Sequence, residues 1–470
     1  MPDTNDVDQR LGQLRSRGIG PGEQEHLDRL AAVINARDFA SKRHQANLSA
    51  VVALTVLVVG AVALGTTVSA QHHPAAVARP AGILATPAPS PAAVRSNVAP
   101  VALVPGQALQ LLTIKMVSGT TGWSTAGPLG NGAFSTILRT TDGAQTWRDV
   151  TPGAAEGKGI QPAFFLGADR AWAVVGDASG AQVVYRTSDA GQHWTAGDQF
   201  AVSNVVSGIQ FVDPLHGWID MPGVPATGSS YQGMTIARTV DGGATWQRVA
   251  VSPGGASTSA AGEIPAGCGK DGSGFRDIVT GWVTGGCVQG VTFYRTSNGG
   301  LTWQRQQVLG PAGEVIGPSF CLGHCSLSAP VFTSPSAGSM VLTYQTHDGQ
   351  RGALYTTHDG GASWVPRVVD AASSALGPAT FLDPNSGWWT ALAGSAADTL
   401  RIWRTTDGGS HWSLVNTTPG AGDADLNFIS PTRGFAIFHS YQAAAIFYLA
   451  STSDAGRTWA PLTPHLAGSP

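Results

Sequence analysis

The chain has 470 residues, of which only 12% are charged, with a net charge of −3 and abundant Gly (61) and Trp (14). Against a usual quarter of charged residues, this is the palette of short strands and tight turns rather than of helices. No basic field is available to attract phosphate backbones, and Lys is nearly absent beyond the N-terminal region, which argues against nucleic acid as a partner.

Residues 1–46 hold seven basic and seven acidic residues and show helical spacing through Leu27, Leu30, Ala31, Val33 and Ile34. They are expected to form a cytoplasmic tail with one short amphipathic helix. No charge occurs from Leu48 to Ala70, and as a helix such a stretch spans roughly 34 Å, enough for a bilayer. A transmembrane signal anchor is therefore expected over 47–70. Arg37, Lys42 and Arg43 precede it and no basic residue follows until Arg79, which puts the N-terminus in the cytoplasm and the remainder outside. Val68-Ser69-Ala70 before Gln71 also reads as a small-residue cleavage site, so a leader removed after Ala70, with a secreted product, is the alternative. Residues 71–105 contain seven prolines among many alanines, the composition of an extended, semi-rigid linker.

From 106 to 470 one element recurs seven times, first as Thr140-Thr141-Asp142-Gly143-Ala144-Gln145-Thr146-Trp147. Its third positions are Asp142, Asp189, Asp241, Asn298, Asp359, Asp407 and Asp454, and its aromatic ends are Trp147, Trp194, Trp246, Trp303, Trp364, Trp412 and Trp459. The copies lie 47 to 61 residues apart, the length of a four-stranded propeller blade. The pattern resembles the Asp-box, or bacterial neuraminidase repeat, and implies an all-β, seven-bladed propeller. An Asp side chain accepts hydrogen bonds from the backbone of its own hairpin turn and Gly supplies positive φ. Asn298 retains an accepting oxygen but would fail as a catalytic acid, so the seven positions read as structural. Ala144 in a Gly position, and His193, Ser363 and His411 in the Thr position, are variants of the turn. A second element, clearest at Phe211–Trp218, Phe275–Trp282 and Phe381–Trp388, precedes the turns and reads as an inner strand, a tight turn and a second strand opening on an aromatic residue. Expected blades are 111–152, 160–199, 205–252, 272–308, 328–369, 376–417 and 424–464.

Strand alternation puts the repeated turns on one face of the disc and the insertions at 221–233, 253–271 and 309–327 on the other. Long loops on one face of a rigid scaffold are where binding usually lives. Cys268, Cys287, Cys321 and Cys325 all fall among them; in an exported domain they suggest two disulfides, Cys268–Cys287 with Cys321–Cys325 being favoured among three connectivities. Zinc held by His324 and thiolates is a weaker alternative, and no cofactor or metal is expected. Together the paired motifs over 106–470 resemble the photosystem II assembly and stability factor family and its non-photosynthetic bacterial relatives. That resemblance implies a non-enzymatic scaffold binding an extracytoplasmic protein or glycan. Sialidases are also Asp-box propellers, so an exo-sialidase-like hydrolase is the competing class. It would draw on Glu263, Glu314 and Asp177 of the loop-rich face, but most propeller arginines immediately precede the turns on the opposite one. A surface sensor reporting through the tail is a third reading.

Overall fold

The computed structural model describes residues 111–467 except 127–135, 156–157, 177–180, 202–205, 224–232, 253–259, 348, 368–372, 394–398 and 441–445. The expected tail, anchor and linker lie outside the described residues. Among the described residues, no helix is long and apolar enough to cross a membrane.

Seven antiparallel sheets follow one another at 111–149, 159–201, 208–252, 272–305, 325–367, 373–419 and 423–462. They are the blades of a seven-bladed propeller. In each blade the first strand ends on a large side chain that pairs across to the residue opening the second: Met116 with Gly122, Phe211 with Gly217, Phe275 with Gly281 and Phe428 with Gly434. The fifth blade starts earlier than expected because its first strand is divided into Cys325–Leu327 and Val331–Phe332, both paired with Gly338–Thr346. Pro330 lies in the interruption and has no N–H to give the ladder. A last strand, His465–Leu466, was not foreseen. It runs parallel to Thr146–Asp149 at the outer edge of the first blade, so the end of the chain closes the ring.

The seven turns between third and fourth strands are built alike. In the first, Asp142 Oδ1 accepts the Thr140 hydroxyl at 2.9 Å and the Thr146 N–H at 3.0 Å, while Oδ2 accepts the Thr146 hydroxyl at 2.6 Å. Where His193 and His411 replace that Thr, their Nδ1 atoms lie 2.7 and 2.6 Å from Oδ2 of Asp189 and Asp407. Asn298 keeps both oxygen contacts and turns the third around, its Nδ2 donating to the Thr302 hydroxyl at 2.9 Å. Ala144, Ala190 and Ala455 are the non-glycine residues with positive φ among those described, at 69°, 65° and 67°. Each turn also docks on the first-to-second-strand turn of its own blade through one backbone bond, as in Gly143 to Thr120, Gly242 to Leu215 and Gly408 to Asn385. Both turn sets therefore share one end of the propeller.

Adjacent blades are joined at that end by aromatic packing. The tryptophan opening a second strand stacks on the phenylalanine of the next blade, with centroids 3.8 Å apart for Trp172–Phe211 and Trp218–Phe275 and 3.5 Å for Trp388–Phe428. Trp123–Phe165 and Trp282–Phe332 repeat the arrangement. The indole N–H of Trp172, Trp218 and Trp388 donates to the repeated turn of that next blade, at the carbonyls of Gly242, Gly299 and Ala455. On the other side of the ring, the arginine preceding the blade's own turn covers it, as Arg139, Arg238, Arg295 and Arg404 do. These arginines are thus held against the tryptophan layer of the wall. Trp218→Ala is expected to destabilise the chain by about 3–5 kcal/mol in denaturant unfolding, from lost burial and the cavity left behind. Ala190→Gly should stabilise it by about 0.5–1 kcal/mol, because it removes a left-handed alanine.

Candidate functional site

Neighbouring blades also meet through polar side chains on their first and second strands. Gln210 donates to the Ser273 carbonyl at 3.1 Å and accepts the Phe275 N–H at 3.0 Å, and Asp220 accepts the Ser273 N–H and hydroxyl at 2.8 and 2.7 Å. Asn427 does the same for Met116 N–H across the junction of the last and first blades, at 2.6 Å. Innermost strands expose unpaired backbone groups, and these side chains satisfy them. Burial raises the Asp220 carboxyl to about 6 despite its bonds from Ser273, and raises Asp271, bonded to the Ser326 hydroxyl, to the same region. His439 and Asp423 form a buried pair 3.5 Å apart in the seventh blade. Lys270, buried next to Asp271, is lowered to about 8 by the loss of water.

The insertions expected at the end away from the repeated turns are only partly there. Cys268–Cys287 and Cys321–Cys325 are disulfides, which removes the thiolates a zinc site would require. The first ties the segment before the fourth blade to the second strand of that blade, and Thr292 of the third strand donates to the Gly269 carbonyl at 3.1 Å. The second closes a short loop leading into the first strand of the fifth blade, with the Cys325 carbonyl lying against Gly286. The middle of the earlier insertion departs from the expectation. The Gly262 carbonyl accepts the Trp303 N–H at 2.7 Å and Ile264 is buried with Trp303, so this segment reaches back along the outer edge toward the repeated turns. The short fourth strand of that blade, Gln304–Arg305, leaves the edge for it to cover.

That course settles where the candidate carboxylates sit. Glu263 is beside the fourth repeated turn rather than on the opposite end, and its side chain accepts the N–H of Ala260 at 2.9 Å. Glu314 accepts the N–H of Ala312 at 2.8 Å inside its own bulge, near Tyr355, whose hydroxyl donates to the Leu309 carbonyl at 2.6 Å. Both glutamates cap their own loops. Asp177 lies outside the described residues. Among the described residues, no three His, Cys, Asp or Glu side chains are grouped to hold a metal ion.

Exposed apolar residues form two groups that the sequence motifs do not mark. Val288, Leu309, Val315 and Leu322 are between 41% and 71% exposed, all within or beside the disulfide-bound loops of the fourth and fifth blades. Leu215, Val240, Ile278, Val279 and Leu301 are between 41% and 57% exposed, and occupy the turns of the third and fourth blades at the opposite end. A distinguishing signal was present in the sequence, since the position of Leu215 and Val279 holds Thr120, Asp169, Ser336, Asn385 and Thr432 in the other blades.

No protein-family model matches this chain, and no curated protein matches it. Among solved structures, YCF48 from Cyanidioschyzon merolae is 16% identical over 74% of this chain and 97% of that one, with a TM-score of 0.41. YCF48 bound to D1 peptide is 14% identical over 78% and 88%, with a TM-score of 0.31. A GH74 xyloglucanase from Xanthomonas campestris is 15% identical with a TM-score of 0.46; 77% of this chain is covered, spanning 55% of the enzyme. These likenesses assign no activity to the chain.

The two kinds of aspartate oppose each other in pH dependence. Asp189 and Asp407 are held at about 2, first by the backbone N–H of His193 and of His411, and Asp454 at about 2, first by the Thr458 hydroxyl. Lowered carboxyls stabilise the fold above their unfolded value of 3.8 and lose that contribution as pH falls toward 2. Asp220 is raised, so its contribution is full below 3.8 and is lost as pH rises through about 6. Asp220→Asn is therefore expected to reduce the fall in stability between pH 4 and 7 by about 2–3 kcal/mol, measured by denaturant unfolding at each pH.

Proposed function

We propose that this chain is a membrane-anchored propeller, held outside the cell by residues 47–70 and raised on the linker 71–105, that binds a protein or glycan ligand without catalysing a reaction. The seven repeated turns are, on this reading, structural Asp-boxes, and binding belongs to the loops of the fourth and fifth blades. The observation that carries it is the fastening of those loops by two disulfides while Val288, Val315 and Leu322 remain exposed on them. Apolar side chains on braced loops lose little conformational freedom when a partner covers them. The commitment of Glu263 and Glu314 to their own backbone turns supports a surface that holds rather than hydrolyses.

Crosslinking on intact cells that express the full chain tests the proposal. Val288→Asp combined with Leu322→Asp should lower capture of the partner at least tenfold, whereas Leu215→Asp with Leu301→Asp, at the other end, should leave it unchanged. The reverse pattern would sink the assignment of the binding face. Turnover of arylglycosides or sialosides that disappears in Glu263→Gln or Glu314→Gln would overturn the non-enzymatic reading.

A further inference from the structure

Seven copies of one pair of turns let each turn residue be compared with its counterparts in the same chain. The turn between first and second strands holds Leu215 in the third blade and Ile278-Val279 in the fourth, and the repeated turn holds Val240 in the third and Leu301 in the fourth. Leu215 and Val279 share a position that is polar in the other five blades. The position of Val240 holds Thr, Ser or His in the other six, that of Leu301 holds Gln, Ala, Ser or Arg, and that of Ile278 holds Gly, Ala or Pro. Large aliphatic side chains thus enter four positions of the turn repeat in two adjacent blades and in no other. A change that served packing would bury them, yet all five are between 41% and 57% exposed.

These side chains stand on abutting turns. The N–H groups of Gly242 and Gly299 donate to the carbonyls of Leu215 and Val279, each at 2.8 Å, which joins the two turns within each blade. The Trp218 indole donates to the Gly299 carbonyl at 3.1 Å, and a Cβ on Gly299 would lie 2.7 Å from the Arg238 guanidinium and 2.9 Å from the Ile278 carbonyl, so one blade abuts the next. Asp241 and Asn298 hold the repeated turns from within. The apolar groups are therefore presented on backbone that loses little freedom when it is covered, and apolar groups clustered in this way mark interaction sites.

The fringe of the patch is acidic. The side chains of Asp213 and Asp277 are 40% and 38% exposed, and Asp241 is exposed as well. The arginines of the same turns are directed inward. Arg238 lies over Trp218, while Arg276 lies over Phe332 of the fifth blade and donates to the Gly360 carbonyl at 2.6 Å, which leaves its side chain 19% exposed. A second copy of this surface, or an anionic lipid surface, would bring like charges together, whereas a basic partner meets opposite ones. We propose that the turns of the third and fourth blades dock a protein segment whose apolar side chains are flanked by lysine or arginine. This surface is at the opposite end from the disulfide-bound loops and takes a separate partner, so it does not rest on binding there.

The test is fluorescence anisotropy of the full chain, in neutral detergent, with a dye-labelled octapeptide of alternating leucine and lysine. Leu215→Thr, Val279→Thr and Leu301→Gln together give these turns residues that other blades carry at the same positions, and should weaken binding at least tenfold. Octapeptides of leucine with glutamate, and of serine with lysine, should bind the wild-type chain at least tenfold more weakly. Asp241→Asn, which keeps the turn as Asn298 does, should weaken the leucine–lysine peptide by about threefold, the scale of one exposed ion pair, and remains informative if the triple variant does not fold. Val288→Asp with Leu322→Asp, at the loop end, should change nothing; weaker binding there would overturn the assignment to the turns. Equal binding to the wild type and a folded triple variant would overturn the site, as would absence of saturable binding. Tighter binding of the leucine–glutamate peptide would overturn the basic partner, and so would self-association, or uptake onto phosphatidylglycerol vesicles, that the triple variant abolishes.

Discussion

Seven small sheets become one body because an indole from each of several blades is claimed by the next. A single four-stranded sheet of this size has little core of its own. The ring of Trp218 has an arginine of its own blade on one side, a phenylalanine of the following blade on the other, and a hydrogen bond at its edge to that blade's turn. The three contacts fix distance, tilt and rotation together. This also explains the conformation of the turns, for the carbonyl that receives the indole belongs to the residue after the aspartate, or after Asn298 in the case of Trp218. If that side chain did not hold the turn, the acceptor would not be in place.

Polar side chains between neighbouring blades complete what the aromatic rings begin. Apolar packing cannot satisfy the N–H and C=O groups on the free edge of an innermost strand, so Gln210, Asp220 and Asn427 reach across to them. The same geometry buries a carboxyl, which is why Asp220 is raised while the solvent-facing turn aspartates are lowered. One residue type thus serves two structural purposes with opposite consequences for protonation. Ring closure follows a third rule, since the last strand adds to the outer edge of the first blade by backbone bonds and buries Leu466 with Trp147.

The repeat made blade number, strand order and the common end of both turn sets legible, because each rests on short-range spacing: the aspartate four residues before its N–H donor, the phenylalanine six before its glycine. Both disulfides were also readable, since their partners lie 19 and 4 residues apart. The path of residues 260–264 was not. Nothing local in Gly262-Glu263-Ile264 shows that a two-residue fourth strand in another part of the blade leaves Trp303 to be covered. His465–Leu466 was hidden for the same reason, as its partner lies more than 300 residues earlier. Long-range edge pairing depends on what other segments leave open, and no periodicity records that.

Departures from the repeat show how its parts depend on one another. Tryptophan and arginine are needed as a pair, so losing one alone would leave a buried cation or an uncovered ring. Their joint replacement by Ser339 and Thr356 keeps the strands paired while removing the wall. The sixth blade has not followed, as Phe381 and the Gly408 turn retain the form that receives an indole elsewhere. With the wall gone, Val341 and Leu354 of the fifth blade share a buried core with Trp389 and Ala391 of the sixth, and Phe381 packs against it, so neighbouring strands cover the ring where an indole does so elsewhere.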